Sequence, residues 1–344
     1  MHIMENKTIT IVIPCRNEEN YISECLESII NCDYSTQLID IKVIDGMSDD
    51  NTRNIIKDYS LKYSFIELID NIKQKTPYAF NLGIKNSSSD FIMIMGARHI
   101  ISQNYISYCI NKLEDDNKLG CIGGAVINSY ENNISETISK AMNSSFGVGV
   151  GNFRTNLKEE IYVDTIGTPV YRKSIFSELG LFDERLTRNQ DDDFNYMVTE
   201  AGYKIMSSAN ISVKYFVRAS FSKLFKQYYQ YGYWKVFVNK KHKTITTIRQ
   251  LVPFGFVSYL IVFLFNLVFV KEYAYITSIP LIIYIILISY FSVKLSSKLS
   301  ETVNLFKSFF ILHVSYGLGY LEGIFNFIVL NRDSVNDKNE ELSR

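Results

Sequence analysis

Residues Val252–Val270 contain no charged side chain, and after Lys271 and Glu272 a second uncharged, apolar run follows at Tyr273–Val293. A bilayer crossing takes roughly 20 such residues, so each run is just long enough to span. Two adjacent runs this apolar are difficult to cover within a soluble core, and the last third of the chain is expected to be a helical membrane anchor. A third segment, Phe309–Leu330, contains His313, Gly317, Gly319, Glu322 and Gly323. It fits a span, a re-entrant hairpin or an interfacial hairpin. Ahead of the first run lie Lys240, Lys241, Lys243 and Arg249, and after the second Lys294, Lys298 and Lys307. Basic flanks mark the cytoplasmic side. Phe221–Val238 interleaves Lys with many aromatics, as an amphipathic helix lying in a membrane interface does.

What precedes the anchor has the make-up of a soluble domain. The 344 residues balance 36 basic against 36 acidic side chains, so no global field points to nucleic acid as a partner. Five cysteines, with no CxxC pair, suggest neither a zinc ribbon nor a disulfide framework. They read as small buried thiols in a reducing compartment. Met1 to Lys7 is polar, without the apolar core of a signal peptide. The expectation is a cell-membrane protein with its first domain in the cytoplasm. The expected division is 1–220 for that domain, 221–250 for an interfacial helix and basic linker, 251–331 for the membrane helices and 332–344 for a polar tail.

From Thr8 to about Ile127, β-rich runs alternate with helical patterns, which implies a mostly parallel sheet covered by helices. In such sheets ligands bind beyond the carboxyl ends of the strands. Those ends read Pro14-Cys15-Arg16-Asn17-Glu18, Asp45-Gly46-Met47-Ser48-Asp49-Asp50 and Gly96-Ala97-Arg98-His99. Neither GxGxxG nor GxxxxGK[ST] occurs, so dinucleotide and P-loop readings fall away.

Four segments carry a family resemblance. ITIVIPCRNEENYISECLESI, an apolar strand followed by Pro, Asn-Glu and a helix, resembles the opening of family-2, GT-A-fold glycosyltransferases. VIDGMSDDNT resembles that family's Asp-Gly-x-Ser-x-Asp-x-Thr turn, which puts Asp45 at the nucleotide-contacting position. A carboxylate suits that place because uracil N3–H and ribose hydroxyls are donors. TPYAFNLGIKNSSSDFIMIM resembles the Ala-x-Asn-x-Gly helix, with Asn81 as its asparagine. The block TIGTPVYRKSIFSELGLFDERLTRNQDDDFNYMVTEAGYKI resembles the acceptor side, with the family's Glu-Asp-x-Asp/Glu falling on Gln190-Asp191-Asp192-Asp193. The resemblance implies Pro14, Arg16, Glu18, Asp45, Asn81 and Arg98 as donor-binding residues, and Asp191 with Asp192 as catalytic. Inverting transfer is one in-line displacement and needs a single carboxylate to take the hydroxyl proton, the part assigned to Asp191. Three acids opening a helix also suit its macrodipole whatever the function.

The chain departs from the family where Asp-x-Asp normally holds a divalent cation on the donor diphosphate. That position reads Gly96-Ala97-Arg98. The departing diphosphate still needs positive charge. Either Arg98 supplies it directly, or His99 ligates Mg2+ or Mn2+ with diphosphate oxygens completing the shell. QYYQYGYWK lies where many membrane-bound members have Gln-x-x-Arg-Trp. With HVSYGLGYLEG, it is similar to the exopolysaccharide glucosyltransferases of the succinoglycan type. Gln227 and Trp234 would line the acceptor site or form part of an aromatic belt. The expected activity is transfer of a sugar from a nucleotide-diphosphate sugar, UDP-linked, to a lipid-linked or growing cell-surface glycan. The alternatives are a processive synthase and a degenerate nucleotide-sugar-binding subunit.

Overall fold

The expected alternation is present, element by element, in the computed structural model, which describes residues 7–130, 132–149, 159–217 and 220–332. Most of the polar tail expected at 332–344 therefore lies outside the described residues, as does the start of the polar segment Met1 to Lys7. Strands and helices succeed one another as Ile9–Cys15 (β1), Ile22–Ile30 (α1), Ile39–Asp45 (β2), Thr52–Lys62 (α2), Ile66–Asp70 (β3), Thr76–Lys85 (α3) and Phe91–Ile94 (β4). Then come His99–Ile101 (β5), Tyr105–Asp115 (α4) and Leu119–Ser129 (β6), followed by the helices Asn133–Met142 (α5) and Ser145–Val148 (α6). Ile161–Tyr162 (β7), Val170–Arg172 (β8), Lys173–Leu179 (α7), Gln190–Glu200 (α8) and Lys204–Phe216 (β9) complete the sheet-bearing part.

The chain divides into two compact units, 1–128 with 151–216, and 129–150 with 217–344. In the first, the nine-stranded sheet runs β3-β2-β1-β4-β8-β6-β9-β5, with β7 beside β9. The neighbours β3, β2, β1 and β4 are parallel; the pairs β4–β8, β6–β8, β5–β9 and β7–β9 are antiparallel. The sheet is thus mixed, parallel where the helical crossovers intervene and antiparallel beyond them. β1 is buried along its apolar residues because helices cover both faces. α1 turns Ile22, Cys25, Leu26 and Ile29 inward, one stripe at helical spacing.

Strand order reverses around β1, whose neighbours are β2 and β4, and a crevice at that switch point is where open α/β sheets take ligands. Pro14 helps open it. The Met95 N–H donates to the Val12 carbonyl at 3.0 Å, so Pro14, two residues on, presents the same side of β1. Having no N–H, it cannot continue the pairing.

The second unit adds Phe221–His242 (α9), Leu251–Phe269 (α10), Ala274–Leu295 (α11) and Leu299–Gly323 (α12), the last running into a π-helical turn at Ile324–Val329. Two stretches, Ile248–Phe269 and Lys271–Leu295, are long and apolar enough to cross a membrane, and few of their residues are buried. An exposed apolar surface of this extent marks a lipid or protein contact rather than a monomer surface. α12 does not qualify; it packs inward through Leu305, Ser308, Phe309, Leu312, Ser315, Gly317, Gly319 and Tyr320. α9 is half buried against it, so it is a packing helix of this unit. A Cβ on Gly232 would run into the Tyr316 carbonyl, and one on Gly319 into the Tyr229 carbonyl. Glycine at these two positions lets α9 and α12 touch backbone to backbone.

Residues 133–148, left inside the first domain by the sequence reading, pack in this second unit. Lys140 pairs with Glu301 and with Glu136. Phe146 stacks on Phe291 at 4.7 Å, and its carbonyl lies 2.8 Å from His313 Nε2.

Candidate active site

The carboxyl ends of β1, β2 and β3 lie in register: Cys15 is opposite Asp45, and Asp45 opposite Asp70. This aligns three loops along one edge. Asn17 and Met47 both have positive φ, tightening the first two into facing turns. The Asn17 N–H donates to Ser48 Oγ (2.9 Å), the Asp49 N–H to Asn17 Oδ1 (3.1 Å) and the Glu18 N–H to Thr52 Oγ1 (2.8 Å). Arg16 lies over Gly46, its Cβ 3.4 Å from where a Cβ on the glycine would stand.

Asp45 is fully buried. One carboxylate oxygen accepts from Ser48 Oγ at 2.5 Å; the other accepts from the Ser48 N–H at 3.0 Å and Arg53 Nη1 at 2.6 Å. Arg53 Nη2 reaches on to Asp70 at 2.8 Å. These carboxylates, Asp45 first, hold the guanidinium above its ordinary pKa. In this conformation Asp45 is the anchor of the turn, and Asp70 is the more exposed carboxylate. Sequence reading missed Arg53 and Asp70. A signal was available, since a cation in the first turn of a helix opposes the macrodipole and implies specific carboxylate partners. Burial, and then Asp45, push the Cys15 thiol well up, so it is no nucleophile.

Beyond β4, Arg98 Nε donates to Glu18 Oε2 at 2.7 Å, and its guanidinium carbon lies 4.5 Å from the centre of the Tyr21 ring. His99 Nδ1 accepts from the Gly96 N–H at 3.2 Å and lies 2.8 Å from Thr168 Oγ1. A backbone N–H can only donate, so Nδ1 carries no proton and its lone pair is engaged within the protein. Thr168 has φ +54, a strained conformation for a β-branched residue, costing about 1–3 kcal/mol. It is held by His99 and by the Tyr105 hydroxyl, which donates to its carbonyl at 2.7 Å. His99 thus braces the loop before β8 against the end of β4.

A divalent cation does not fit this donor set. Gly96 and Arg98 offer no side-chain oxygen, the His99 Nδ1 is turned inward, and among the described residues no group of three or more His, Cys, Asp or Glu is placed to hold a metal ion. Reinstating a side chain at Gly96 would also crowd His99, whose Cε1 lies 3.3 Å from where the Cβ would stand.

The acid-bearing helix is fixed from two sides. Asn81, fully inside, donates through Nδ2 to the Phe182 carbonyl and Glu184 Oε1 (both 2.9 Å) and accepts from the Phe182 N–H (3.0 Å). It therefore clamps α3 to the segment leading into α8. Phe194 packs against Phe182, Phe176 and Tyr171 with ring centres 4.7, 4.9 and 5.6 Å apart. The Tyr171 hydroxyl donates to Asn195 Oδ1 at 2.7 Å. Asn189, in the left-handed region, precedes α8, whose first turn presents Asp191 exposed, Asp192 half-buried and Asp193 buried. Close by in sequence, Thr187 Oγ1 and Gln190 Oε1 are buried with no hydrogen-bond partner among the described residues. An unmet buried polar atom costs about 1–3 kcal/mol, which a hydroxylated ligand can relieve.

Gln227 and Trp234 lie in the second unit. Gln227 Nε2 donates to the Tyr231 hydroxyl at 2.9 Å. Trp234 is only 2% exposed, with Tyr233, Phe237 and Phe327 against it, so its faces serve packing in this conformation.

A parallel half-sheet with a ligand crevice, an antiparallel half carrying an acidic helix, and interlocked polar strand-ends make up the GT-A glycosyltransferase fold. Residues 10–180 match glycosyl transferase family 2. The chain is 32% identical over 325 residues to a dolichyl N-acetyl-α-D-glucosaminyl phosphate 3-β-D-2,3-diacetamido-2,3-dideoxy-β-D-glucuronosyltransferase of Methanococcus voltae. That match covers 92% of this chain and 97% of the relative. It is 27% identical over 251 residues to the succinoglycan biosynthesis protein ExoA of Rhizobium meliloti, covering 71% and 73% of the two chains. Among solved structures, GalNAc-T7 with UDP, GalNAc and Mn2+ superposes with a TM-score of 0.50 at 16% identity, over 62% of this chain and 44% of that one. The chain belongs to glycosyl transferase family 2, and it is a glycosyltransferase.

Proposed function

We propose that this enzyme transfers a sugar from a nucleoside-diphosphate sugar, UDP-linked, to a hydroxyl of a lipid-phosphate-linked saccharide, with inversion. The observation that carries the proposal is the first turn of α8. It bears exposed Asp191 and half-buried Asp192, is fixed by Asn81 and the Phe194 cluster, and lies beside two unmet polar atoms, Thr187 Oγ1 and Gln190 Oε1. Asp191 accepts the proton of the acceptor hydroxyl as its oxygen attacks the anomeric carbon. The diphosphate departs from the opposite face with the electron pair of the broken C–O bond. Thr187 and Gln190 hydrogen-bond sugar hydroxyl or acetamido groups. Asp45, Arg53 and Asp70 order the nucleoside side of the crevice, and Pro14, Arg16 and Glu18 line its other wall.

The relative from Methanococcus voltae is named for a lipid-phosphate-linked N-acetylhexosamine acceptor, and an acceptor of that class is proposed here. A polyprenyl-linked acceptor resides in the bilayer, and α10 with α11 would keep the enzyme on the same surface, its catalytic unit cytoplasmic. The experiment is release of nucleoside diphosphate from a panel of nucleotide sugars, with membrane-lipid acceptor, for wild type and Asp191→Asn. Turnover that collapses in the variant supports the assignment. Equal turnover in both removes Asp191 as the base, and donor binding without turnover on any acceptor removes the transfer reaction.

A further inference from the structure

The geometry points to a donor-diphosphate site that works without a metal ion, the Arg98 guanidinium standing where family members place a cation and Glu18 holding that guanidinium edge-on until the donor arrives. This rests on the nucleotide-sugar reading above. Glu18 follows β1 and Arg98 follows β4, so the pair sits at the two lips of the switch-point crevice. There the diphosphate of a nucleotide sugar would lie.

Arginine carries five N–H donors in a fixed fork. Arg98 spends Nε on Glu18, and among the described residues its two Nη groups have no hydrogen-bond partner. The side chain is a quarter exposed, so a ligand can reach the guanidinium. Tyr21 beneath the guanidinium, itself against Phe216 at 5.1 Å, fixes the plane of the fork. Two parallel N–H groups held in a plane are the donor set that takes two phosphate oxygens at once. The metal donors are missing from the same loop, where Gly96 gives its N–H to His99 and a side chain in its place would crowd the imidazole.

Glu18 gives the pair its second property. Its N–H is tied to Thr52, which fixes the backbone that carries it, and its carboxylate both orients Arg98 and repels an incoming diphosphate. The two partners of one ion pair should therefore act on donor binding with opposite sign. A purely structural pair would not do this, and neither would a Glu18 that ligates a metal.

The test is titration of the full-length protein in detergent with UDP, GDP, dTDP and CDP, in EDTA and again with Mn2+. The expected result is one diphosphate bound equally well, within about twofold, in both conditions. Arg98→Met should weaken it by roughly 10- to 100-fold, the loss of charge-assisted hydrogen bonds, with an unchanged melting temperature. Glu18→Gln should tighten it. Binding that appears only with Mn2+ overturns the proposal and leaves the transferase reading standing; so does weaker binding in Glu18→Gln, or wild-type affinity in a folded Arg98→Met. Should Arg98→Met fail to fold, Arg98→Lys and Glu18→Gln decide the matter by the same signs. If no diphosphate binds under either condition, the nucleotide-sugar reading falls, and this one with it.

Discussion

Replacing Asn81 by Ala removes three hydrogen bonds at once, and their consequences are unequal. The bond to Glu184 Oε1 costs little, because that carboxylate is partly exposed and turns to water. The two bonds to Phe182 differ, since they satisfy a backbone N–H and a carbonyl at a residue only 4% exposed. Each orphaned backbone group costs about 1–3 kcal/mol, so the expected loss for the two is centred near about 4 kcal/mol. For a unit of this size that corresponds to a fall in melting temperature of roughly 8–16 °C. The chain's one tryptophan, Trp234, belongs to the helical unit and does not report on this site. The assay is therefore hydrogen exchange on peptides spanning 179–190, together with far-ultraviolet circular dichroism melts of the full chain in detergent. Protection should be lost from 182 to 190, and turnover should fall because α8 is no longer positioned. Glu184→Gln should melt within about 1 °C of wild type, as expected of a partly exposed partner that can turn to water. If Asn81→Ala melts within about 2 °C of wild type and keeps protection at 182, the clamp assignment is refuted.

Asp191→Asn should lower turnover by about 10²- to 10⁴-fold with little change in donor affinity, read by single-turnover kinetics; a small loss would assign the base elsewhere. Gly319→Ala should destabilise the helical unit by about 1–3 kcal/mol, because its Cβ meets the Tyr229 carbonyl, with an early red shift of Trp234 emission on denaturation. An unaltered emission profile would contradict the backbone contact between α9 and α12. Hydrogen bonds from the Thr8 N–H and hydroxyl hold the Asp90 carboxyl below its usual range. Burial raises Asp50, but the Thr52 hydroxyl and the N–H groups of Thr52 and Glu19 outweigh it, so it is also lowered. Carboxylates depressed in the folded state stabilise above their unfolded pKa of about 4 and lose that contribution as pH falls through the folded value. The urea midpoint should therefore drop below about pH 4, less steeply in Asp90→Asn; a flat profile to pH 3 would refute the assignment.

The strand-and-helix alternation, the polar strand-ends and the two uncharged runs were readable because each is a local pattern. Periodicity, a terminal Pro or Gly, and roughly 20 apolar residues in a row carry their structural meaning within one segment. Motif order likewise brought Asp45, Asn81 and Asp191 to notice, and the missing carboxylates at Gly96 and Arg98. Roles were less legible than positions. Whether Asn81 faces a ligand or the backbone of Phe182 depends on a contact 101 residues away in sequence. Asp45 could not be known to spend its carboxylate on Arg53 and Ser48, nor His99 to turn Nδ1 toward Gly96 and Thr168, until loops from different strands were side by side.

Local sequence therefore determined which elements form, where polar residues gather at the strand-ends, and that the last third is apolar enough for a membrane. Only the tertiary structure decided that the sheet turns antiparallel after β4, that residues 133–148 pack with the carboxyl-terminal helices, and that Arg98 meets Glu18 across the switch point. The reason is physical. A period fixes a segment's own geometry, whereas a hydrogen bond or ion pair between segments depends on register and crossover, which no single segment contains.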